Sequence, residues 1–185
     1  MSRGRRPYWR SIRTYWYWVA IVVLLVFQWI MYPPVPGPPP PPTGRDVLTE
    51  GEHSVRRVVD GDTLLMQSGD RVRLQGIDTP ETVRENYPVE PWGPQASAFT
   101  KEFVREASGR VKLTFGNERL DGYGRYLAFV WDGDKMLNEE LVRAGLAEAR
   151  LGWNYSSTLK RRLRLAQEEA KRAQRGIWSG TSPAP

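Results

Sequence analysis

An apolar run near the N-terminus limits the possible folds of this chain most. Residues 15–32 contain one polar side chain, Gln28, in 18 positions. A helix of this length measures about 27 Å at about 1.5 Å per residue, close to the thickness of a bilayer core. Both ends carry the aromatic side chains typical of membrane interfaces: Trp16, Trp18, Trp29 and Tyr32. The run predicts a transmembrane signal anchor, and the absence of small residues after it argues against a cleaved signal peptide.

The charges of the chain predict the orientation of this anchor. The 27 basic and 21 acidic residues give a net charge of +6. Residues 1–45 contain six arginines and no acid, so the 21 bases and 21 acids of residues 46–185 balance. The basic segment 1–14 is therefore expected in the cytoplasm, and the rest of the chain outside it. The high isoelectric point alone gives no argument for nucleic-acid binding.

The remaining sequence divides into a linker, one domain and a short tail. Residues 33–44 contain eight prolines in 12 positions and predict an extended spacer, so we assign 33–52 to a proline-rich linker. Residues 53–178 suit a single globular domain, and 179–185 form a tail. The chain has no cysteine, so it has no disulfide partner, no Cys nucleophile and no thiolate metal site. We expect a monomer.

The periodicity of the domain predicts an α+β fold. Strand-like segments cover 63–67, 71–77, 110–115 and 126–131, and helical spacing covers 95–107, 137–144 and 158–174. Short strands with a few helices favour a small closed barrel. A turn near Ser68 and Gly69 would pair residues whose numbers sum to 137 or 138. Asp62 would then lie opposite residue 75 or 76, at the same end of the hairpin as Asp78.

Carboxylates and arginines near this hairpin are the candidate chemical groups. Two adjacent carboxylates, Asp62 and Asp78, repel each other unless a hard cation such as Ca²⁺ or Mg²⁺ lies between them. Glu81 could orient a water molecule, and the guanidinium groups of Arg73 and Arg125 suit phosphate oxygens. Taken singly, each of these residues fits a turn, a loop or a solvated strand face. Together they are typical of a site that cleaves phosphodiesters.

The order of the motifs resembles that of a known family. VVDGDTLLM (58–66), RLQGIDTPET (73–82), DGYGRYLAFVW (121–131) and AQEEAKRAQRGIW (166–178) resemble the thermonuclease, or staphylococcal nuclease-like, family. The resemblance covers about residues 54–178. It implies a five-stranded OB-fold β-barrel with about three helices, here preceded by one transmembrane helix. It also implies Ca²⁺-dependent hydrolysis of DNA and RNA that leaves 3′-phosphates.

The resemblance also assigns roles to individual residues. Asp62 and Asp78, with the carbonyl oxygen of Thr79, would bind Ca²⁺, while Glu81 would activate water and Arg73 and Arg125 would bind the phosphate. Tyr123 matches a tyrosine that contacts the nucleotide. Leu151 and Trp153 stand where the family often has two tyrosines, which leaves the base contacts and the choice between DNA and RNA open. A non-catalytic OB-fold module that binds single-stranded nucleic acid or a protein is the alternative.

Overall fold

The computed structural model describes residues 47–82 and 89–183, which all belong to the unit Pro40–Pro185. The predicted cytoplasmic segment 1–14, the predicted membrane span 15–32 and most of the predicted linker 33–52 lie outside the described residues. Among the described residues, none of the helices combines the length and the apolar character that a membrane crossing requires.

A closed five-stranded barrel forms the centre of the domain. Hydrogen bonds connect the strands of the main sheet in the order β3-β2-β1-β5-β6-β7, and β3 also pairs in parallel with β6, which closes the barrel. A separate antiparallel pair joins β4 to β8. The strands are β1 (Gly51–Asp60), β2 (Thr63–Met66), β3 (Arg71–Leu74), β4 (Ile77–Asp78), β5 (Arg110–Leu120), β6 (Tyr126–Asp132), β7 (Lys135–Met136) and β8 (Glu148–Ala149).

Three α-helices pack through their apolar sides, the first two against the barrel and the third mainly against the second helix. They are α1 (Gly93–Glu106), α2 (Leu137–Arg143) and α3 (Ser157–Arg172), followed by a 3₁₀ turn at Gly176–Trp178. Helix α3 is amphipathic, because its buried residues recur at spacings of three and four: Leu163, Ala166 and Ala170. The predicted α+β barrel with three helices is confirmed for the described residues, with helix ends that differ from the prediction by one or two residues.

The register of the first hairpin differs from the prediction. Thr63 pairs with Arg73 and Leu65 with Arg71, so paired residues sum to 136, and Asp62 lies opposite Leu74. The cause is the turn, in which the backbone N–H of Met66 donates to the carbonyl of Asp70 at 2.9 Å and leaves a three-residue loop. Such loops place a residue in the left-handed region, and Gly69 occupies it with φ 93°.

The second strand of this hairpin is also interrupted. The prediction extended it from 71 to 77, whereas β3 ends at Leu74 and the chain turns through Gln75 and Gly76 before β4. Gly76 has φ +79°, which an L side chain rarely adopts. The buried side chain of Asn138 stabilises the turn, because its Nδ2 donates to the carbonyl of Gln75 at 2.9 Å. This turn brings β4 back toward the end of β3.

Candidate active site

Asp62 lies in the tight connection between β1 and β2 and is almost completely buried, with 4% of its surface exposed. Its Oδ2 accepts hydrogen bonds from both the backbone N–H and the hydroxyl of Thr79, each at 3.0 Å. The hydroxyl of Thr100 on α1 donates to the carbonyl of Gly61 at 2.6 Å, which anchors the connection to the helix. Asp62 thus joins the start of the first hairpin to the segment after β4.

Arg73 connects Asp62 to the second carboxylate. One nitrogen of its guanidinium, Nη1, forms an ion pair with Asp62, and the other, Nη2, lies 2.6 Å from Oδ1 of Asp78. Five residues of straight strand would separate Arg73 from Asp78 by about 16 Å. The turn at Gly76 removes this separation. The structure therefore brings Asp62, Asp78 and Arg73 into one cluster around a single guanidinium.

Burial and charge shift the pKa values of two groups in this cluster. Burial lowers the pKa of the Arg73 guanidinium, and the charge of Asp78 acts in the opposite direction. Burial also raises the pKa of the Asp60 carboxyl, against hydrogen bonds from Thr63 and the positive charge of Arg73. The positive charge of Arg125 lowers both pKa values: it adds to the shift of Arg73 and opposes that of Asp60, so the two guanidinium groups share one electrostatic environment.

The pairing of β6 with β3 that closes the barrel places Arg125 near Arg73. Arg125 directly precedes β6, whose residue Leu127 pairs with Arg73 across the parallel junction of the barrel. Asp121 positions it: Oδ1 accepts the backbone N–H of Arg125 at 2.9 Å, and Oδ2 accepts its Nε at 2.7 Å. Oδ1 also accepts the N–H of Tyr123, whose 80% exposed ring lies 5.4 Å from the Arg125 guanidinium carbon. The loop presents a guanidinium and an aromatic face side by side.

Glu81 is fixed by its backbone. Its N–H donates to Oε2 of Glu90 at 3.0 Å, and its carbonyl accepts the N–H of Glu90 at 2.9 Å. These two bonds hold Glu81 and Glu90 next to each other between β4 and α1. Within the described residues its carboxylate makes no hydrogen bond or ion pair, and its role with water stays a prediction.

Two residues of the site, Asp121 and Arg150, were not predicted. Asp121 does carry a local signal, because an Asp-Gly pair predicts a turn whose carboxylate accepts backbone N–H groups. Arg150, directly after β8, places Nη2 2.6 Å from Oδ2 of Asp78 and Nη1 3.0 Å from Oε2 of Glu148. No local signal identifies Arg150, because its position depends on the pairing of β4 with β8.

The donor groups present suit a hard cation. Over residues 47–82 and 89–183, no group of three or more His, Cys, Asp or Glu side chains is arranged to bind a metal ion. Asp62 and Asp78 nevertheless contact the same guanidinium, so one small cation could contact both carboxylates in its place. Carboxylate, carbonyl and water oxygens are the donors that Ca²⁺ accepts. Asp62, Asp78 and Thr79 therefore fit such an ion, while their roles as ligands stay predictions.

The two residues at the expected tyrosine positions lie beyond β8. Leu151 is partly buried and packs against the core, whereas Trp153 is 36% exposed. Only Trp153 thus offers an aromatic surface to solvent at this position. The question of base contacts stays open.

A closed five-stranded barrel with three helices is the architecture of an OB-fold domain, and comparison with known proteins identifies the family. The family described as "Staphylococcal nuclease homologue" matches residues 71–180. The chain is 44% identical over 165 residues to the thermonuclease of Staphylococcus intermedius, covering 86% of this chain and 92% of that protein. It is 35% identical over 164 residues to the thermonuclease of Staphylococcus hyicus, covering 87% and 95%.

A third relative is the endonuclease YncB of Bacillus subtilis, 39% identical over 127 residues, which cover 66% of this chain and 59% of that protein. The chain belongs to the staphylococcal nuclease family. This confirms the family resemblance found in its motifs. The N-terminal anchor and linker stay predictions.

Proposed function

We propose that this chain is a membrane-anchored, extracytoplasmic, Ca²⁺-dependent nuclease that hydrolyses phosphodiester bonds of DNA, RNA or both and leaves 3′-phosphates. One observation carries the proposal: the guanidinium of Arg73 bridges Asp62 and Asp78 at the barrel end where Arg125 also lies. Relatives named thermonuclease and endonuclease support the reaction class.

The two arginines bind and polarise the phosphate. A guanidinium is planar and permanently charged, and it donates two parallel hydrogen bonds to phosphate oxygens. Arg73 is 11% and Arg125 28% exposed at the side chain, so their charges act where water screens them little. Asp121 fixes Arg125 from one side and leaves its terminal nitrogens for the substrate. Arg125, which Asp121 already holds in place, stabilises the charge that develops on the phosphate, and Arg73 adds its positive charge from beside Asp62 and Asp78.

The carboxylates complete the reaction centre. Asp62 and Asp78 would hold the cation, which when bound would supply positive charge that withdraws electron density from the phosphate. Glu81 orients the attacking water and accepts its proton as the water oxygen bonds to phosphorus. The P–O5′ bond then breaks, and the O5′ oxygen takes up a proton from solvent water. Tyr123 offers its exposed ring to a base or sugar beside Arg125. None of these steps requires the single histidine or a cysteine.

The site of action follows from the predicted anchor. Residues 15–32 would hold the chain in the membrane with 1–14 in the cytoplasm, and the linker would separate the domain from the lipid surface. Proteinase added to intact cells should then degrade the domain and spare the N-terminal segment. Protection of the domain in intact cells would contradict this topology.

The reaction is tested with the full chain, on plasmid and single-stranded DNA and on RNA. We expect fragmentation with Ca²⁺ and none with EGTA. Arg125→Lys and Glu81→Gln should each reduce the rate by about 10²-fold or more, as removal of groups that stabilise a transition state does. Arg105→Gln is the matched control, because Arg105 pairs with Glu102 on the exposed side of α1 and should retain full activity.

The same gel distinguishes turnover from binding. Retarded but intact nucleic acid would indicate the non-catalytic binding module. Undiminished cleavage in EGTA would contradict the calcium requirement, and full activity in both Arg125→Lys and Glu81→Gln would contradict the assignment of the site. For Arg73 the suitable variant is Arg73→Lys, because a lysine keeps a positive charge beside the buried Asp62 carboxylate.

A further inference from the structure

Arg150 adds a third guanidinium to the site. Nη2 of Arg73 lies 2.6 Å from Oδ1 of Asp78, and Nη2 of Arg150 lies 2.6 Å from Oδ2 of the same carboxylate. Both oxygens of Asp78 are therefore paired with arginine. The two arginines differ in exposure, since the side chain of Arg73 is 11% exposed and that of Arg150 is 43% exposed.

The backbone fixes Arg150 at this position. Strands β4 and β8 place Ile77 opposite Ala149 and Asp78 opposite Glu148. The N–H of Arg150 donates to the carbonyl of Gly76 at 2.8 Å, which ties it to the turn before β4. The pair between Arg150 and Asp78 therefore joins residues 72 positions apart through a defined register.

We propose that Arg150 is a positioning residue for Asp78 that competes with the cation for this carboxylate, and thereby raises the Ca²⁺ concentration at which the site fills. The inference rests on the proposed function. A carboxylate oxygen that accepts a hydrogen bond from Arg150 is less available as a ligand, and the guanidinium charge repels a divalent ion. Because Arg150 is partly exposed and also pairs with Glu148, it can turn outward when the cation binds.

The size of the effect follows from charge and distance. A unit charge about 5 Å from a divalent ion, in a solvated setting at physiological salt, changes its binding constant by about five-fold. Removing the charge of Arg150 should therefore tighten Ca²⁺ binding by about that factor. The fold should be kept, since exposed ion pairs contribute little to stability.

The experiment measures Ca²⁺ binding to the full chain by isothermal titration calorimetry, without nucleic acid. Arg150→Gln should lower the Kd about five-fold and lower the Ca²⁺ concentration for half-maximal cleavage by the same factor. Arg150→Lys keeps the charge and should stay within two-fold of the parent Kd. Arg105→Gln removes an equal charge far along α1 and should leave the Kd unchanged.

The possible failures are distinguishable. An unchanged or higher Kd in Arg150→Gln would refute the proposal that Arg150 competes with Ca²⁺ for Asp78. If Arg105→Gln lowered the Kd equally, the effect would come from the net charge of the protein, and the proposal would again be refuted. A parent chain that binds no Ca²⁺ would overturn the proposed calcium dependence and this inference with it. Thermal unfolding in EDTA checks that Arg150→Gln remains folded.

Discussion

The turn at Gly76 brings Arg73 to Asp78, and its replacement by alanine gives the sharpest test of this geometry. Gly76 has φ +79°, and a Cβ added there would lie 2.9 Å from Cζ of Tyr155 and 3.0 Å from Cδ1 of Leu163. Neither neighbour can move freely, because Tyr155 is 4% and Leu163 0% exposed. Gly76→Ala therefore adds backbone strain and a collision with the core.

The two costs can be estimated separately. The left-handed conformation costs a residue with a Cβ about 1–2 kcal/mol. Overpacking a close-packed site costs about 1–3 kcal/mol more. Gly76→Ala should thus lower the free energy of unfolding by about 2–5 kcal/mol, a large share of the 5–15 kcal/mol typical of a domain.

Gly109→Ala is the matched control, because Gly109 has φ +73° and no atom within 4 Å of its added Cβ. It carries the conformational cost alone, about 1–2 kcal/mol. Urea unfolding followed by tryptophan fluorescence measures both variants, and the entropy lost from the unfolded chain cancels between them. If Gly76→Ala destabilises the chain no more than Gly109→Ala, the proposed collision with Tyr155 and Leu163 is refuted.

Further predictions concern stability and substrate binding. Burial raises the pKa of Tyr155 to about 12. The folded state therefore keeps a proton that the unfolded state releases above about pH 10, so the free energy of unfolding should fall by about 1.4 kcal/mol per pH unit from pH 10 to 12. Urea titrations should show that Tyr155→Phe removes this contribution to the slope. Asn138→Ala leaves the N–H of Val130 without its side-chain acceptor and should cost about 2–4 kcal/mol, against under about 0.5 kcal/mol for the exposed Asn117→Ala. Tyr123→Ala should raise KM for nucleic acid several-fold in steady-state cleavage while the unfolding free energy changes by less than about 0.5 kcal/mol, since the ring is 80% exposed.

The sequence predicted the barrel and the neighbourhood of the two carboxylates for sound physical reasons. Alternating apolar residues identified the strands. The short turn after Met66 makes β3 pair with β2 in an antiparallel hairpin, whichever register the two strands adopt. Asp62 and Asp78 therefore lie toward the same end of the hairpin even though the predicted register was wrong by one or two residues. A local signal suffices for that much, because hairpin contacts are local, whereas the turn at Gly76 is needed to bring Asp78 to Arg73 and Asp62.

The break at Gln75 and Gly76 could not be predicted in the same way. Apolar residues that recur between polar ones as far as Ile77 predict one strand, whereas the turn depends on Asn138, a residue of α2 far along the chain. Its side chain accepts the N–H of Val130 and donates to the carbonyls of Gln75 and Ala128. Arg150 escaped prediction for a similar reason, since strands of two residues carry no readable register. Tertiary contacts decided both features.

The parallel junction between β3 and β6 has a consequence for the time at which the site appears. Arg73 and Arg125 lie at this junction, so they become neighbours only when β3 pairs with β6 and the barrel closes. An unfolded chain carries every reactive side chain and yet possesses no site. Long-range strand pairing is slow compared with hairpin formation. The onset of cleavage during refolding should therefore mark barrel closure, and a chain that is still unfolded should leave nucleic acid intact.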